Sequence, residues 1–263
     1  MSGDAPALPG PGDYRDEIEL DLLGRRVRLL ELSREVSEQM PVYPGHVKVA
    51  FWEHLTHEQV RRQRLPPDSP FAGYAVRGLV ASEHVSTHVD AVWHFNPERP
   101  DLTIDKLPWE HLITPAAWVD VSDVWPETHI TRARLERALE EAKVTLRPGM
   151  TLLYYTGVAE HWDDPFRFLA EYPGLDLEAS EWLLDQGVVN VGTDAVSTDY
   201  PGDLTYPNHR THAKRLVVHT EMVANMTRIP RHHGFWVLFF PLRLVGGTGS
   251  PARAVALWEV GED

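Results

Sequence analysis

A dense cluster of histidine and aspartate residues within residues 83–96 constrains this chain more than any other feature. Its members are His84, His88, Asp90 and His94. All four stand at even positions, and an extended chain turns alternate residues to opposite faces. The odd positions from Val85 to Phe95 are mostly apolar. The segment therefore predicts one edge that packs in the core and one edge that presents side chains of the kinds that bind metal ions.

A straight strand does not bring these side chains together. At ~3.3 Å per residue, His84 and His88 would stand roughly 13 Å apart in a strand. Ligands of one ion need donor atoms within about 2.0–2.2 Å of it. A helical turn would bring His84 and His88 together, but it would direct Asp90 to another side. The sequence therefore predicts a strand that ends near His84, followed by a loop that curls around an ion.

The composition narrows the class of protein. The 263 residues are 43% hydrophobic and 24% charged, which is ordinary for one globular domain with a sizeable core. The 25 basic and 39 acidic residues give a net charge of −14, which argues against nucleic acid or an anionic membrane as a partner. There is no cysteine, so a metal site must use nitrogen and oxygen ligands. No apolar run resembles a membrane span or the core of a signal peptide, so we expect a cytoplasmic protein.

Short strands separated by turns dominate the rest of the chain, with two or three helices. Residues 1–13 are predicted to be a flexible tail, and residues 14–263 a single domain. Residues 17–23 are interpreted as a short helix or arm. The helical spacing of apolar residues predicts helices over residues 131–142 and 177–186. Buried strands are expected near residues 116–121, 150–155 and 188–191, which together indicate an α/β or α+β domain.

The histidine cluster resembles a known family signature. The pattern H-x-G-T-H-x-D-x-P-x-H of the cyclase family, which includes bacterial kynurenine formamidases and isatin hydrolases, is matched by His84, Thr87, His88, Asp90 and His94, with Phe95 in register. The chain departs from it at Ser86, where the family usually has Gly, and at Val92, where it usually has Pro. The resemblance implies an α/β fold of the swivelling β/β/α type, with mixed β-sheets and a few helices. It also implies one or two divalent ions, and zinc and manganese both suit such ligands.

The resemblance also implies a second half of the site. His209 and Glu221 match a family pair separated by twelve residues. In the formamidases this pair binds a second metal ion, and the aspartate of the first motif, here Asp90, bridges both ions. His212 and His219 in the same histidine-rich segment are also candidate donors, although such residues are more often surface or structural.

Two further segments resemble the family. Residues 192–199 follow its pattern G-x-D-x-x-S-x-D, and residues 247–254 its pattern G-x-G-S-P-x-R-A. Asp194 and Ser197 are candidates for shaping the pocket or orienting ligands, and Trp93 is a further candidate beside the site. The glycine-rich segment 247–254 is interpreted as a tight turn near the pocket, because no P-loop lysine follows it.

Three functions are compatible with these residues. In a metal-dependent hydrolase of a small amide or lactam, the ion would activate water and polarise a carbonyl, while His94 moves the proton. A metal-dependent cyclase or dehydratase of secondary metabolism would use the ion as a Lewis acid. A non-catalytic metal-binding member is the third alternative, and the presence of His94 beside a full ligand set argues against it. We expect a small-molecule substrate and, because family members are usually dimers or tetramers, a homo-oligomer.

Overall fold

The computed structural model describes residues 14–124 and 128–261, so the tail predicted at residues 1–13 lies outside the described residues. The strands, in chain order, are β1 (Glu17–Leu22), β2 (Arg25–Glu31), β3 (Ala50–Leu55), β4 (Val76–Val80), β5 (His88–Asp90), β6 (Ile113–Asp120), β7 (His129–Ile130), β8 (Thr151–Tyr155), β9 (Gly174–Leu175), β10 (Asn190–Thr193), β11 (Val218–Glu221), β12 (His233–Pro241) and β13 (Gly249–Glu259). The helices are α1 (His57–Arg64), α2 (Val92–Phe95), α3 (Trp109–Leu112), α4 (Arg132–Glu141), α5 (Pro165–Ala170), α6 (Leu177–Asp185) and α7 (Pro207–Arg215). None of the helices described is long and apolar enough to cross a membrane.

Most of the strands belong to one mixed sheet that closes on itself. Within the described residues, the order runs β5–β13–β12–β6–β8–β10–β11, and β11 pairs again with β5. The strands β6, β8, β10 and β11 run parallel to one another, whereas β5, β12 and β13 pair antiparallel with their neighbours. Closure pairs the edges that an open sheet would leave exposed. The expected α/β domain with mixed strand directions and a few helices is confirmed.

The parallel part of the sheet is buried on both faces. In β8, Leu152 and Tyr154 pack in a cluster with residues of α4 and α6, while Leu153 and Tyr155 pack in a second cluster with Phe235 of β12. Side chains of a strand alternate between faces, so each strand residue of this region meets a hydrophobic layer. This explains why residues Leu152 to Tyr155 of β8 form a continuous hydrophobic run rather than an alternating one.

The two predicted helices begin and end close to the expected residues. Helix α4 is capped by Thr131, whose side chain accepts from the backbone N–H of Arg134, and it buries Leu135 against the sheet. Helix α6 is capped by Asp176 and is followed by Gly187, which has a φ of +82°. A positive φ suits glycine at a helix C-terminus.

The helix that was one of the two alternatives for residues 17–23 is wrong, because Glu17–Leu22 form β1. Strand β1 pairs antiparallel with β2, and β2 pairs with β13. Acidic and apolar residues alternate from Glu17 to Leu22, which is the period of a strand rather than of a helix. Leu23 and Gly24 both have positive φ, as a tight two-residue hairpin turn requires.

Candidate metal centre

Strand β5 lies between β11 and β13 and carries two of the predicted ligands, His88 and Asp90. Their side chains leave the strand on the same face because they stand two residues apart. The antiparallel register places His219 of β11 opposite Asp90, and Glu221 opposite His88. Residues opposite each other in such a pair have neighbouring side chains. Four polar side chains therefore meet at one point of the sheet, and all are buried.

The first donor group consists of His84, His88 and Asp90. One ligand atom from each lies within 4.8 Å of the others. Asp90 Oδ1 is 2.6 Å from His84 Nδ1 and 3.2 Å from His88 Nε2. His84 reaches this position from a loop, because β4 ends at Val80 and β5 begins at His88. Strand β4 thus ends a few residues before the predicted end near His84, and the loop after β4 places His84 beside Asp90.

The second donor group consists of Asp90, His209, His219 and Glu221, whose ligand atoms also lie within 4.8 Å of one another. Asp90 Oδ2 is 2.9 Å from His219 Nε2, and Glu221 Oε1 is 3.4 Å from the same nitrogen. Helix α7 supplies His209, and β11 supplies His219 and Glu221. The structure therefore brings all five predicted metal ligands together, with Asp90 common to both groups.

Outer acceptors hold the rings of two of these histidines. His88 Nδ1 lies 2.8 Å from the carbonyl oxygen of Ser86, to which it donates. His209 Nδ1 lies 2.5 Å from Asp199 Oδ2 and donates to that carboxylate. In each neutral ring the proton is thereby placed on Nδ1, and Nε2 is left as a free lone pair. A histidine that binds a metal is held in this way by a carbonyl or carboxylate behind it.

His84 is held through a short relay. Its Nε2 lies 2.9 Å from Thr248 Oγ1, and that hydroxyl donates to Glu83 Oε2 over 2.7 Å. The hydroxyl has already used its hydrogen, so it accepts from His84 Nε2–H. His84 Nδ1 is then the lone pair that faces Asp90. When both rings are neutral, His84 and His88 therefore each direct an unprotonated nitrogen towards a carboxylate, and such an arrangement needs a cation between them.

The pKa shifts point to the same need for positive charge. Burial would lower the pKa of His88 and of His219, but Asp90 and Glu221 raise both to about 10. Burial would raise the pKa of Glu221, but His219 and His88 lower it to about 2. The pKa of Asp90 is likewise held well below its usual range, against burial, by the histidines around it, His84 first. When the histidines are neutral, the two carboxylates match the charge of a divalent ion, and the nitrogen and oxygen donors fit zinc or manganese.

A cavity of about 220 Å³ opens onto both donor groups. Its lining consists of Tyr43, His46, His84, His88, Asp90, His94, Val196, Ser197, Tyr206, His209, Glu221 and Met222. The side chain of His94 remains 28% exposed, and its Nε2 lies 3.7 Å from Asp90 Oδ2. The ring of His94 lies against that of His84, with centroids 4.0 Å apart. His94 is therefore beside the donors and accessible to a molecule in the cavity.

Of the three residues predicted to lie beside the site, one lines the cavity and two do not. Ser197 lines the cavity, whereas Asp194 and Trp93 lie outside its lining in the described part of the chain. Asp194 Oδ1 accepts from the backbone N–H and the hydroxyl of Thr156 at 2.7 and 2.8 Å, and Oδ2 accepts from two more backbone amides at 3.1 Å. Asp194 thus shapes the loop after β8, and burial raises its pKa. Trp93 precedes His94 on α2, where successive residues point about 100° apart, and only His94 of the two belongs to the described lining.

His219 was a candidate donor from its segment, but a structural or surface role was favoured for it. The available signal was its position two residues before Glu221, because a strand turns such residues to one face. Five lining residues were not among the predicted site residues, namely Tyr43, His46, Val196, Tyr206 and Met222. Tyr43 and His46 come from a loop distant in sequence, and the other three stand beside predicted residues without a pattern of their own.

Comparison with known proteins identifies the family. Residues 30–200 match the family model described as "Putative cyclase". A kynurenine formamidase from Salinibacter ruber is 30% identical over 235 residues, which are 86% of this chain and 96% of that protein. The chain belongs to this cyclase family. An isatin hydrolase from Roseibium aggregatum is 29% identical over 205 residues, which are 72% of this chain and 76% of that protein.

A solved structure shows that the fold is shared as well. The crystal structure of an isatin hydrolase bound to the product analogue thioisatinate superposes with a TM-score of 0.77, at 24% identity, covering 89% of this chain and 93% of that one. The predicted family and its fold are therefore confirmed. The relatives named here are hydrolases of C–N bonds other than peptide bonds, which is the class predicted for this chain.

The two departures from the family signature leave the loop intact. Ser86 has a φ of +57°, a conformation that glycine adopts freely, and its Oγ donates to the carbonyl oxygen of Arg34 over 2.6 Å. This hydrogen bond holds the serine in a conformation that L-residues rarely adopt. Val92 is the first residue of α2, a position that proline favours but does not require.

Proposed function

We propose that this protein is a metal-dependent hydrolase that cleaves the C–N bond of a small amide or lactam. The observation that carries this proposal is the convergence of two donor groups on Asp90 at the wall of one cavity. His84, His88 and Asp90 would hold one divalent ion, and Asp90, His209 and Glu221 a second. The activities named for the formamidase and isatin hydrolase relatives support the same chemistry.

A divalent ion at these donors would lower the pKa of water towards ~7 and polarise the substrate carbonyl. Zinc and manganese both suit the donor set, so the identity of the metal is left to metal analysis. The protein contributes orientation. The carbonyl of Ser86 and the side chains of Asp199 and Thr248 fix the donor rings before any ion or substrate arrives.

His94 is the residue that we assign to proton transfer. Burial lowers the pKa of His94 to about 4, so the ring is neutral near pH 7 and can accept a proton. It lies on the cavity wall beside the first donor group. In the proposed reaction His94 takes a proton from the attacking water and returns it to the leaving nitrogen as the C–N bond breaks.

The cavity suits a small, flat substrate. Its walls beside the donors include Tyr43, Val196, Tyr206 and Met222. Burial and a hydrogen bond with Tyr206 raise the pKa of Tyr43 to about 12, so this hydroxyl stays protonated at neutral pH. A volume of about 220 Å³ is below the usual range for drug-sized ligands, which favours a single or fused ring system over a peptide. Aryl formamides and aryl lactams therefore form the proposed substrate class.

A substrate panel tests this proposal. The metal-free protein, reloaded with Zn²⁺ or with Mn²⁺, is incubated with N-formyl aryl amines, aryl lactams and aryl lactones, and the products are identified by mass spectrometry. We expect one amide or lactam class to gain one water, and only in metal-loaded samples. Turnover by loss of water would instead indicate a cyclase or dehydratase. Full metal loading with no turnover of any member would favour a non-catalytic metal-binding protein.

The predicted homo-oligomer and the cytoplasmic location remain predictions. The hairpin of β3 and β4 pairs only with itself in the described residues and exposes Trp52, Leu79 and Val80. Clustered exposed apolar side chains are typical of contact surfaces between subunits. Light scattering should give a multiple of the 29.9 kDa chain mass. A monomeric mass at micromolar concentration would refute this prediction.

A further inference from the structure

One side chain in the second donor group has no role in the proposed function. His219 stands two residues before Glu221 on β11, so both side chains leave the strand on the same face. The His219 side chain is 0% exposed, and it is not part of the described cavity lining. It therefore approaches Asp90 from behind the donors, on the side that no substrate reaches.

The distances around His219 Nε2 are those of neighbouring ligands of one ion. Two donors that each lie about 2.1 Å from an ion are about 3.0–3.4 Å apart when they subtend angles of roughly 90–110°. His219 Nε2 lies 2.9 Å from Asp90 Oδ2 and 3.4 Å from Glu221 Oε1. The ring of Phe95 stacks on His219, with centroids 5.2 Å apart and planes 21° apart, and so fixes its direction.

The second nitrogen of His219 is held by another buried histidine. His219 Nδ1 lies 2.8 Å from His212 Nδ1, and one proton is shared between these two atoms. If His219 Nδ1 carries it, the free lone pair of Nε2 faces two carboxylates and calls for a cation. If His212 carries it, His219 Nε2–H donates to Asp90, and His219 is not available as a ligand of the ion that Asp90, His209 and Glu221 would hold. The first arrangement adds a neutral nitrogen donor to that ion, at ligand spacing from both carboxylates.

We propose that His219 is a fourth protein ligand of the ion held by Asp90, His209 and Glu221, with its tautomer set by His212. This inference rests on the proposed function, because it assumes that the two donor groups bind metal. Four protein ligands close a coordination sphere, whereas three leave a position open. The His219 ion is then the retained one, and the ion at His84 and His88 is the exchangeable one beside the cavity.

The absence of native cysteine allows a direct test. In His219→Cys, a ligand position would receive the only thiolate in the protein. When the metal-free variant is titrated with Co²⁺, we expect a thiolate-to-cobalt charge-transfer band that saturates at one equivalent. The control is His54→Cys, which places a thiol on the exposed face of β3 and should give no such band. Absence of the band at wild-type Co²⁺ stoichiometry, together with wild-type Zn²⁺ affinity in His219→Leu, would overturn the proposal, because the shorter cysteine side chain can fail to reach the ion.

Competition titrations with a zinc chelator provide a second measurement. Removing a residue that only hydrogen-bonds to a metal ligand lowers metal affinity by at most ~100-fold. In His219→Leu, which removes a ligand, the Zn²⁺ affinity of the tighter site should fall by more than that. In His212→Leu, which keeps the ligand and removes only its partner, we expect a loss of about 10–100-fold. Among the described residues His212 Nε2 has no hydrogen-bond partner, so leucine removes one unsatisfied atom, but it also leaves His219 Nδ1–H without its acceptor. Circular dichroism must therefore show that His212→Leu is folded.

The outcomes separate the two proposals. Wild-type Zn²⁺ affinity in both His219→Leu and His212→Leu, with circular dichroism unchanged, would overturn the role of His219 and leave the proposed function standing. Failure of the wild-type protein to take up Zn²⁺, Mn²⁺ or Co²⁺ would overturn both. If His219→Leu does not fold, the cobalt spectrum of His219→Cys and the titration of His212→Leu still decide the question.

Discussion

The two donor groups that share Asp90 are assembled in different ways. His84, His88 and Asp90 come from one stretch of seven residues, so a single loop and a three-residue strand build their group. The other group needs α7 for His209 and β11 for His219 and Glu221, and it exists only when β11 pairs with β5. The first group is therefore local in sequence, and the second depends on closure of the sheet.

Their surroundings differ as well. His94 packs against His84 of the first group and also lines the cavity, so a side chain that can transfer protons is accessible to a substrate there. The second group is backed by Phe95 and His212, and His219 has no solvent contact. The comparison suggests a division of labour, in which one ion position serves the chemistry and the other holds the site together.

The largest effect should follow from removing the residue that the groups share. Asp90→Asn takes a charge from both groups, and it places an amide N–H among nitrogens that need a cation. We expect it to lose both ions and to reduce turnover by more than the ~10²–10⁴-fold assigned to one acid–base group. Metal analysis after gel filtration, together with rate measurements, checks this. The exposed Asp185→Asn is the matched control, and a variant of Asp90 that keeps one ion would contradict a shared ligand.

The next largest effect should come from two histidine variants, one of which removes proton transfer and the other metal binding. His94→Ala should keep wild-type metal content and lower turnover by ~10²–10⁴-fold, because it removes one proton-transfer group. His88→Ala should lose metal and activity together, since it removes a donor. Metal content and rate measured on the same samples distinguish the two variants. If His94→Ala also loses its ion, then His94 is a ligand, and another cavity group such as Glu221 must move the proton.

The difference between the groups also explains what the sequence could predict. The ligands His84, His88 and Asp90 were found because their spacing is short enough for one loop to bring them together. The density of histidine pointed to the segment 208–221, but only the family resemblance singled out His209 and Glu221, because a separation of twelve residues carries no geometric constraint by itself. His219 was not preferred although it shares the period of Glu221, because β11 has only four residues and shows little alternation.

Elements of the fold were also predictable where their signals are local in sequence, and not where they depend on long-range pairing. Helices α4 and α6 were predicted because apolar periodicity and capping residues are local signals. The alternation in β1 was also local, but it was outweighed by the short, charged character of the segment. The closure of the sheet through β13, which pairs with both β5 and β2, could not be read from the chain. That closure depends on partners about 160 residues apart or more.

A smaller effect should distinguish the groups through their outer partners. Asp199→Asn weakens the hold on His209, and Thr248→Val removes the hydroxyl that accepts from His84. Each should lower metal affinity by about 10–100-fold, at the second group for Asp199 and at the first for Thr248. Zinc titrations that resolve two classes of site provide the measurement. Equal losses at both classes in either variant would show that the two groups are not separately held.

The smallest effect on the metal site should come from Asp194, although it lies five residues from Asp199 in the same loop and is equally buried. Its carboxylate accepts four hydrogen bonds from the turn after β8, and none from a donor histidine. In Asp194→Asn the new amide N–H₂ faces two of these backbone donors, and an unsatisfied buried donor costs about 1–3 kcal/mol. We therefore expect lower unfolding stability in denaturant, with metal content and zinc affinity at wild-type values. If Asp194→Asn instead loses metal as Asp199→Asn does, then the loop as a whole positions the second group, and the hydrogen bond from His209 to Asp199 is not its specific support.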